Sequence, residues 1–409
     1  MRLPGVTGPT APRRWRIAVA TLVTAGVLVS AGCSGDGKPE SPSWQNGDAN
    51  ASGAPAQPAL STVSVTSPGA DATGVLASAE IAYASEDPAN TSVEVKDADG
   101  NEVKGTLDRD AKVFRPAQAL GWGKKYTVTV TGTPSGDKGG TASSSFTVMN
   151  KPSKLVRVMS FLGDDQTVGV GMPLIVRFGR SVPEKYRADV QRRMQVTATP
   201  AQEGIWHWTS PTEVHYRPQT YWQPQTKISY RVQLAGVPMD DGWYGRSDLT
   251  VNVNIGRSFV MTVDNKTKQM TVTQDGTVVK TLPVSLGQKK YPSASGTMVV
   301  IEKKRKTVFD TLDEFPEGEG YRVNIDYAQR LTWSGQFIHA APWSEGEQGR
   351  RNVSHGCVNV SMAMGKWLFE RTMMGDPVTV RGTEDKLENG NGWTDWNMGW
   401  DEYKKGSAI

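Results

Sequence analysis

The stretch VFRPAQALGWGKKYTVTV (113–130) returns about a hundred residues later as HYRPQTYWQPQTKISYRVQL (215–234). Each copy carries aromatic-Arg-Pro, then a tryptophan, then Tyr-x-Val, and Pro116 and Pro218 lie 102 positions apart. Self-similarity at a fixed period marks a duplicated structural unit. The segments around the first copy, STVSVTS, AEIAYA, TSVEVKD, YTVTVTG and SSSFTVM, alternate with the strand period, and DADGN and SGDKGG separate them. About seven short strands in roughly 90 residues predict an antiparallel β-sandwich. Residues 59–149 and 150–254 are therefore expected to form two tandem sandwiches. Their tryptophans and tyrosines read as core and corner residues rather than ligand platforms. Gly 43 and Pro 24 in 409 residues fit such a strand-and-turn chain.

The texture changes after 255. RSFVMTVDN, KQMTVTQDGTVVKTLPVSLG and SGTMVVIEKK predict a meander, with Asp275-Gly276 in a hairpin turn. SMAMGKWLFERTMMG (361–375) predicts the one main helix, capped by Ser361, striped by Met364, Trp367 and Leu368, and closed by Gly375. A strand, PVTVRG, follows. Trp393, Trp396 and Trp400 are spaced like one face of a helical turn, so the tail 382–409 is expected to dock on a neighbouring domain. The whole is an all-β dominated chain: two sandwiches, then a β-rich third domain over 255–381.

At the other end, Arg2, Arg13, Arg14 and Arg16 precede the apolar run IAVATLVTAGVLVSAG (17–32). A basic flank and a short apolar run read as a secretory signal, and a membrane-spanning helix needs about 20 apolar residues. The run ends SAGC, which resembles a bacterial lipobox with Cys33 as the lipidated residue, despite Ser30 where leucine is usual. A plain cleaved signal or an uncleaved anchor are the alternatives. Residues 34–58, rich in Gly, Pro, Ser and Ala, are expected to form a disordered tether. The resulting address is the outer face of the plasma membrane. The four arginines account for the entire net charge of +4. The remainder is neutral, which argues against a nucleic-acid partner.

With Cys33 lipidated, Cys357 is left without a disulfide partner. It sits in SHGCVN (354–359), flanked by polar residues and glycine rather than by an apolar run. A nucleophilic cysteine needs a base that favours the thiolate, a group that orients the base, and donors for the oxyanion. His355 is poorly placed as that base, because side chains on either side of Gly356 in a turn tend to diverge. Gly356 instead permits a backbone that aims successive N–H groups of His355, Gly356 and Cys357 at one point. His207 and His215 lie among sandwich aromatics and read as structural. That leaves His339, in SGQFIHAAPW, on a buried strand shared with Phe337. Fourteen residues separate it from Ser354, enough for the chain to fold back. The carbonyl of Ala340 is the simplest partner for its Nδ1–H. A zinc site on His339, His355 and Cys357 lacks a fourth ligand and the usual spacing.

A histidine, fourteen residues, then SHGCVN resembles the signature of the L,D-transpeptidases, the YkuD-type catalytic domain. The two immunoglobulin-like sandwiches and the Trp-rich tail are similar to mycobacterial and actinobacterial members. The resemblance implies a transferase acting on peptidoglycan stem peptides. Cys357 would form a thioester with a tetrapeptide stem and release D-Ala. The amine of a second stem would resolve it into a 3→3 cross-link. His339 would be base and acid, Ala340 its orienter, and His355, Gly356 and the Cys357 amide the oxyanion hole. Tyr321, Ser334, Gly335 and Asn359 match positions lining the donor site, and Trp343 lies at its rim. Carbapenem-type inhibitors would acylate Cys357. No cofactor or metal is implied, since the turn PMDDG (238–242) has Pro238 where some relatives place an acid. Thr311 stands where close relatives carry a second lid tyrosine, in the segment 307–324. An L,D-carboxypeptidase using water, or a non-catalytic wall-binding lipoprotein, are the competing readings.

Overall fold

The computed structural model of the chain describes residues 63–132, 140–312, 317 and 320–409. The expected signal 1–33 with Cys33, the expected tether 34–58, and part of the expected lid 307–324 lie outside the described residues. Among the described residues no helix is long and apolar enough to cross a membrane.

Strands dominate, as the alternating patterns dictate. In the first sandwich one sheet runs Val63–Ser67, Ile81–Ser85, Val113–Pro116, Gly105–Asp108, and the other Ala72–Val75, Gly140–Val148, Lys125–Gly132, Thr91–Asp97. In the second, Val158–Ser160, Leu174–Phe178, Glu213–Pro218 and Gly204–Ser210 face Gln166–Val168, Leu249–Ile255, Lys227–Val232 and Met194–Thr199. The repeated motif takes the same place in both: its aromatic-Arg-Pro strand is third in one sheet and its Tyr-x-Val strand third in the other. The sandwiches are not wholly antiparallel. Among the described residues the first has the parallel pair Ala72–Val75 on Gly140–Val148, and the second has Gln166–Val168 on Leu249–Ile255 and, in a small third sheet, Trp243–Gly245 on Leu155–Val156. A strand's own alternation does not reveal which neighbour it joins, so this pairing was not legible in sequence. The aromatics are core and corner residues. Trp222 is fully buried with its indole N–H on the Met172 carbonyl (2.9 Å), and the Tyr126 hydroxyl accepts the Gly121 N–H (2.8 Å).

The helix Glu184–Gln191 in the second sandwich was not anticipated. Its charged sequence has little apolar stripe, and Pro183 at the cap makes no side-chain hydrogen bond. Asp240 and Asp241 of PMDDG are paired with Arg180 (2.8 Å) and Lys185 (2.8 Å).

The third domain stacks a six-stranded sheet, ordered Thr277–Pro283, Gln269–Gln274, Phe259–Asp264, Pro377–Arg381, Ala294–Val299, Asp385–Lys386, with a four-stranded one, Glu302–Asp310, Arg322–Arg330, Phe337–Ala340, Val358–Val360. Asp275 and Gly276 both have positive φ (47° and 83°), as a tight hairpin turn requires. Ser361 caps the helix Met362–Arg371 by accepting the Met364 N–H (3.2 Å). That helix ends at Arg371, not at Gly375. Gly375 lies in the following turn with φ 88°, where a Cβ would come 2.5 Å from the Met172 Cβ of the second sandwich. Gly365 lets the same helix press onto the strand below, since a Cβ there would meet the Ala340 Cβ at 2.8 Å.

The tail is not one continuous helical face. A 3₁₀ turn Asp395–Asn397 and a short helix Trp400–Lys404 are separated at Met398-Gly399. It docks on the second sandwich. Trp393 is buried edge-on to Phe161 (4.7 Å), and the Trp396 indole N–H reaches the Gly171 carbonyl (2.6 Å). Burying an aromatic side chain removes about 150–250 Å² from water, worth about 4–6 kcal/mol at most. His215 is structural: it bridges Asp395 (2.9 Å) and Glu213 (2.8 Å). Burial alone would push its pKa down, but the two carboxylates outweigh burial and bring it up to about 9.

Candidate active site

Strands Phe337–Ala340 and Val358–Val360 pair in parallel with His339 opposite Asn359. Alternation therefore directs Phe337, His339 and Asn359 to one face, with Cys357 just before the second strand on that face as well. Ile338, Val358 and Val360 point the other way, into the core of the third domain. The spacing of fourteen residues is thus absorbed by a loop that returns the chain beside the histidine strand.

His339 is buried, and its Nδ1 lies 2.9 Å from the Ala340 carbonyl oxygen. A carbonyl only accepts, so Nδ1 carries the proton and Nε2 presents a lone pair. Phe309 meets the imidazole edge-on (5.4 Å), and Trp343, 59% exposed, lies 6.0 Å away at the rim. Cys357 is buried against Ile325, Ala328 and Phe337, with its thiol directed at the Gly335 carbonyl (3.8 Å).

The charge balance differs from a preformed thiolate assisted by His339. Burial pushes the Cys357 thiol up to about 12, against smaller opposing effects of the Phe337 backbone and the Arg330 charge. Burial holds His339 down to about 4, the Ala340 carbonyl pulling weakly the other way. Both groups are therefore neutral at rest, so the Cys357 sulfur could act as a nucleophile only by giving up its proton to a base as it attacks. An imidazole is a base only when neutral, so the acylation rate should stay level as pH falls through the ordinary histidine value of 6.5 and decline only near 4. A pH profile of acylation by stopped flow checks this, and a break near the ordinary histidine value would refute it.

The turn 354–357 departs from the expectation of three aimed amides. The Gly356 N–H is engaged by Ser354 Oγ (3.2 Å), whose hydroxyl donates to the Cys357 carbonyl (2.7 Å). Gly356 is needed for its φ of 116°; a Cβ there would have ordinary clearance, 3.5 Å from Gln336. The His355 ring is stacked on Tyr291 (5.0 Å) and tilted against Tyr321 (5.1 Å). It shares cavity walls with Cys357, but its ring is held among these aromatics.

Two cavities open on Cys357. One, about 310 Å³, includes Tyr321, His339, Trp343, Ser354 and Asn359 in its lining. The other, about 570 Å³, includes Lys304, Asp310, Arg330, Ser334 and Gly335. Cys357, His355, Tyr321 and Phe309 belong to both. Among the described residues all the sequence-expected site residues thus converge except Ala340, which lies beneath the histidine as its carbonyl partner, and Gly356, held in the turn; Cys33 lies outside the described residues. The Ser344 hydroxyl donates to the Ala341 carbonyl (3.0 Å), so it can only accept from Asn359 Nδ2 (3.3 Å). That fixes the Asn359 amide and leaves its buried Oδ1 without a protein partner. On the lid, Thr311 Oγ1 bridges the Tyr321 backbone, accepting from its N–H (3.0 Å) and donating to its carbonyl (3.1 Å). Among the described residues no three His, Cys, Asp or Glu side chains converge as metal ligands.

Fold and site together set a buried cysteine beside a histidine at a cavity wall, the pairing that a cysteine-dependent acyl-transfer enzyme requires. The family model "Bacterial Ig domain" matches residues 72–238, and "L,D-transpeptidase catalytic domain" matches 258–380. L,D-transpeptidase 2 of Mycobacterium tuberculosis (strain CDC 1551 / Oshkosh) is 31% identical over 401 residues, 97% of this chain and 96% of the relative. L,D-transpeptidase 5 of Mycobacterium tuberculosis (strain ATCC 25618 / H37Rv) is 31% identical over 319 residues, covering 76% and 69%. A solved LD transpeptidase in complex with imipenem is 30% identical, covering 56% of this chain and 100% of its own, with a TM-score of 0.49. The chain belongs to the L,D-transpeptidase family.

Proposed function

We propose that this L,D-transpeptidase forms 3→3 cross-links between peptidoglycan stem peptides through a thioester on Cys357. The Cys357 sulfur attacks the carbonyl carbon of the third stem residue, an L-centred diamino acid. His339 Nε2 takes the thiol proton and returns it to the nitrogen of the departing D-Ala, breaking that amide bond. The side-chain amine of a second stem then attacks the thioester. Its proton passes through His339 to the leaving thiolate, and a new amide bond remains. The Cys357 amide and the His355 backbone stabilise the oxyanion, and Gly356 shapes their turn. Asn359 lines the smaller cavity, and its buried Oδ1, which lacks a protein partner, supports recognition of a donor N–H. Tyr321, Ser334, Gly335 and Trp343 line the substrate.

The observation that carries transfer to an amine is that Cys357 stands between two cavities. An acyl group held from one side leaves the other side open to an acceptor. Water is present at about 55 M, and an oriented amine competes because effective molarities can reach about 10⁵ M or more. Incubation with a disaccharide-tetrapeptide should yield a dimer lighter than two monomers by one D-Ala molecule. If mass spectrometry found only tripeptide and free D-Ala at high acceptor concentration, the enzyme would be an L,D-carboxypeptidase. Neither product would leave a wall-binding lipoprotein. Carbapenem-type inhibitors present a strained acyl carbon to the same sulfur and are proposed to acylate it.

The sequence pattern at SAGC supports a lipid anchor at Cys33 that holds the enzyme on the outer face of the plasma membrane. Cys33→Ala protein expressed in a bacterial host should move from the membrane fraction to the soluble one. Retained lipid label, or unchanged membrane association, would sink the anchor.

A further inference from the structure

We infer that Asn391, in the C-terminal tail, is a positioning residue for acyl transfer, acting on Cys357 through the turn Thr332 to Gln336. The inference rests on the reading of Cys357 as the nucleophile.

The turn leads into the histidine strand and touches the nucleophile directly. Its Gly335 carbonyl is the acceptor toward which the Cys357 thiol points, at 3.8 Å. Its Gln336 side chain accepts the Ala294 N–H (3.1 Å) and lies beside Gly356. Inside the turn, Thr332 Oγ1 accepts the Gln336 N–H (3.0 Å) and lies 3.1 Å from Ser334 Oγ. Its apex has no comparable packing. Gly335 sits at φ 93°, and nothing lies within 4 Å of where its Cβ would stand.

Asn391 closes that open end. Its Oδ1 accepts the Ser334 N–H (2.9 Å), and its Nδ2 donates to Ser334 Oγ (2.9 Å). Both polar ends of one side chain thus hold the residue next to Gly335. The tail is shaped for this. Gly390 and Gly392 flank Asn391 at φ 90° and 112°, and a Cβ on Gly392 would meet the Leu331 carbonyl oxygen at 2.8 Å. Trp393, fully buried, meets Trp333 of the turn edge-on at 6.1 Å.

The chemical consequence follows from the neutral resting pair. The thiol proton is directed at Gly335, whereas the reaction requires it to pass to His339 Nε2. Where the Gly335 carbonyl stands sets how the thiol is held and how readily it turns. Ser334 Oγ accepts from Asn391, so its own proton remains for Thr332 Oγ1 or for substrate. A loosened apex would misplace both groups while leaving the cavity walls in place. Misplacement of a reacting group lowers the rate of the bound complex more than it lowers binding.

The test is acylation of the full-length protein by a carbapenem, followed by intact mass and stopped flow. For Asn391→Ala the first-order acylation constant should fall about tenfold, the scale of one or two lost hydrogen bonds. The half-saturating drug concentration should change much less, and the thermal midpoint should hold. Asn391→Asp should restore most of the rate, because the Ser334 N–H and O–H can both donate to one carboxylate. A wild-type rate in Asn391→Ala would overturn the inference. So would equal slowing in both variants with matching losses of thermal midpoint, which marks a merely structural role. A wild-type protein that took up no drug would overturn the reading of Cys357 itself, a result distinct from either.

Discussion

Incubated with a carbapenem, the full-length protein is expected to gain the mass of one drug molecule, and Cys357→Ala is expected to gain none. The adduct should map to the peptide containing SHGCVN. Cys357 is the sole cysteine among the described residues and is walled by two cavities, so the thiol is reachable although it is buried. Turnover of tetrapeptide substrate by Cys357→Ala should be lost outright, since removing a covalent nucleophile costs on the order of 10⁶ in rate. Because burial lifts the thiol to about 12, alkylation of the native protein by a small neutral reagent should rise with pH without a plateau at neutral values. An adduct of equal yield in Cys357→Ala would refute the assignment.

The second large effect is expected at His339. His339→Ala should slow acylation by about 10²–10⁴, the usual worth of a positioned base. The sulfur would remain protonated with no neighbour to take the proton. His355→Asn should cost less, because the His355 ring is stacked on Tyr291 and tilted against Tyr321 and acts on the turn rather than on the proton. First-order acylation constants for the two variants, measured on protein with native circular dichroism, decide the matter. If His355→Asn were the slower of the two, the roles would have to be exchanged.

Much of this site is legible along the chain because the chemistry is local there. A turn that exposes a cysteine needs glycine beside it. A buried strand that carries a histidine needs no acid nearby when its own carbonyl can hold Nδ1. The state of the pair was not legible. Nothing in SHGCVN indicates that both groups are buried deeply enough to be neutral, since that burial is completed by Phe309 and Ile325 from other strands, together with Phe337 on the histidine's own strand. The engagement of the Gly356 N–H by Ser354, and the clasp of Asn391 on Ser334 across 57 residues, are likewise contacts between segments. LENGNGW shows two glycines around an asparagine, a turn signal with no indication of what it reaches.

The repeated aromatic-Arg-Pro motif divides the two kinds of information clearly. Sequence by itself determined that both copies are strands at equivalent places in two sandwiches, because alternation and turn residues act over a few neighbours. Tertiary structure alone decided what the arginines do. Arg115 pairs with Glu80 (3.0 Å) and Asp108 (2.7 Å) in a part-exposed position. Arg217 is buried, its guanidinium 4.1 Å from the Tyr403 ring centroid and 4.5 Å from that of Trp396, donating to the Met398 carbonyl (3.0 Å). The same residue thus makes an ion pair in one copy and anchors the tail in the other. What differs is the surface that packs over it, and that surface comes from a segment about 180 residues further along the chain.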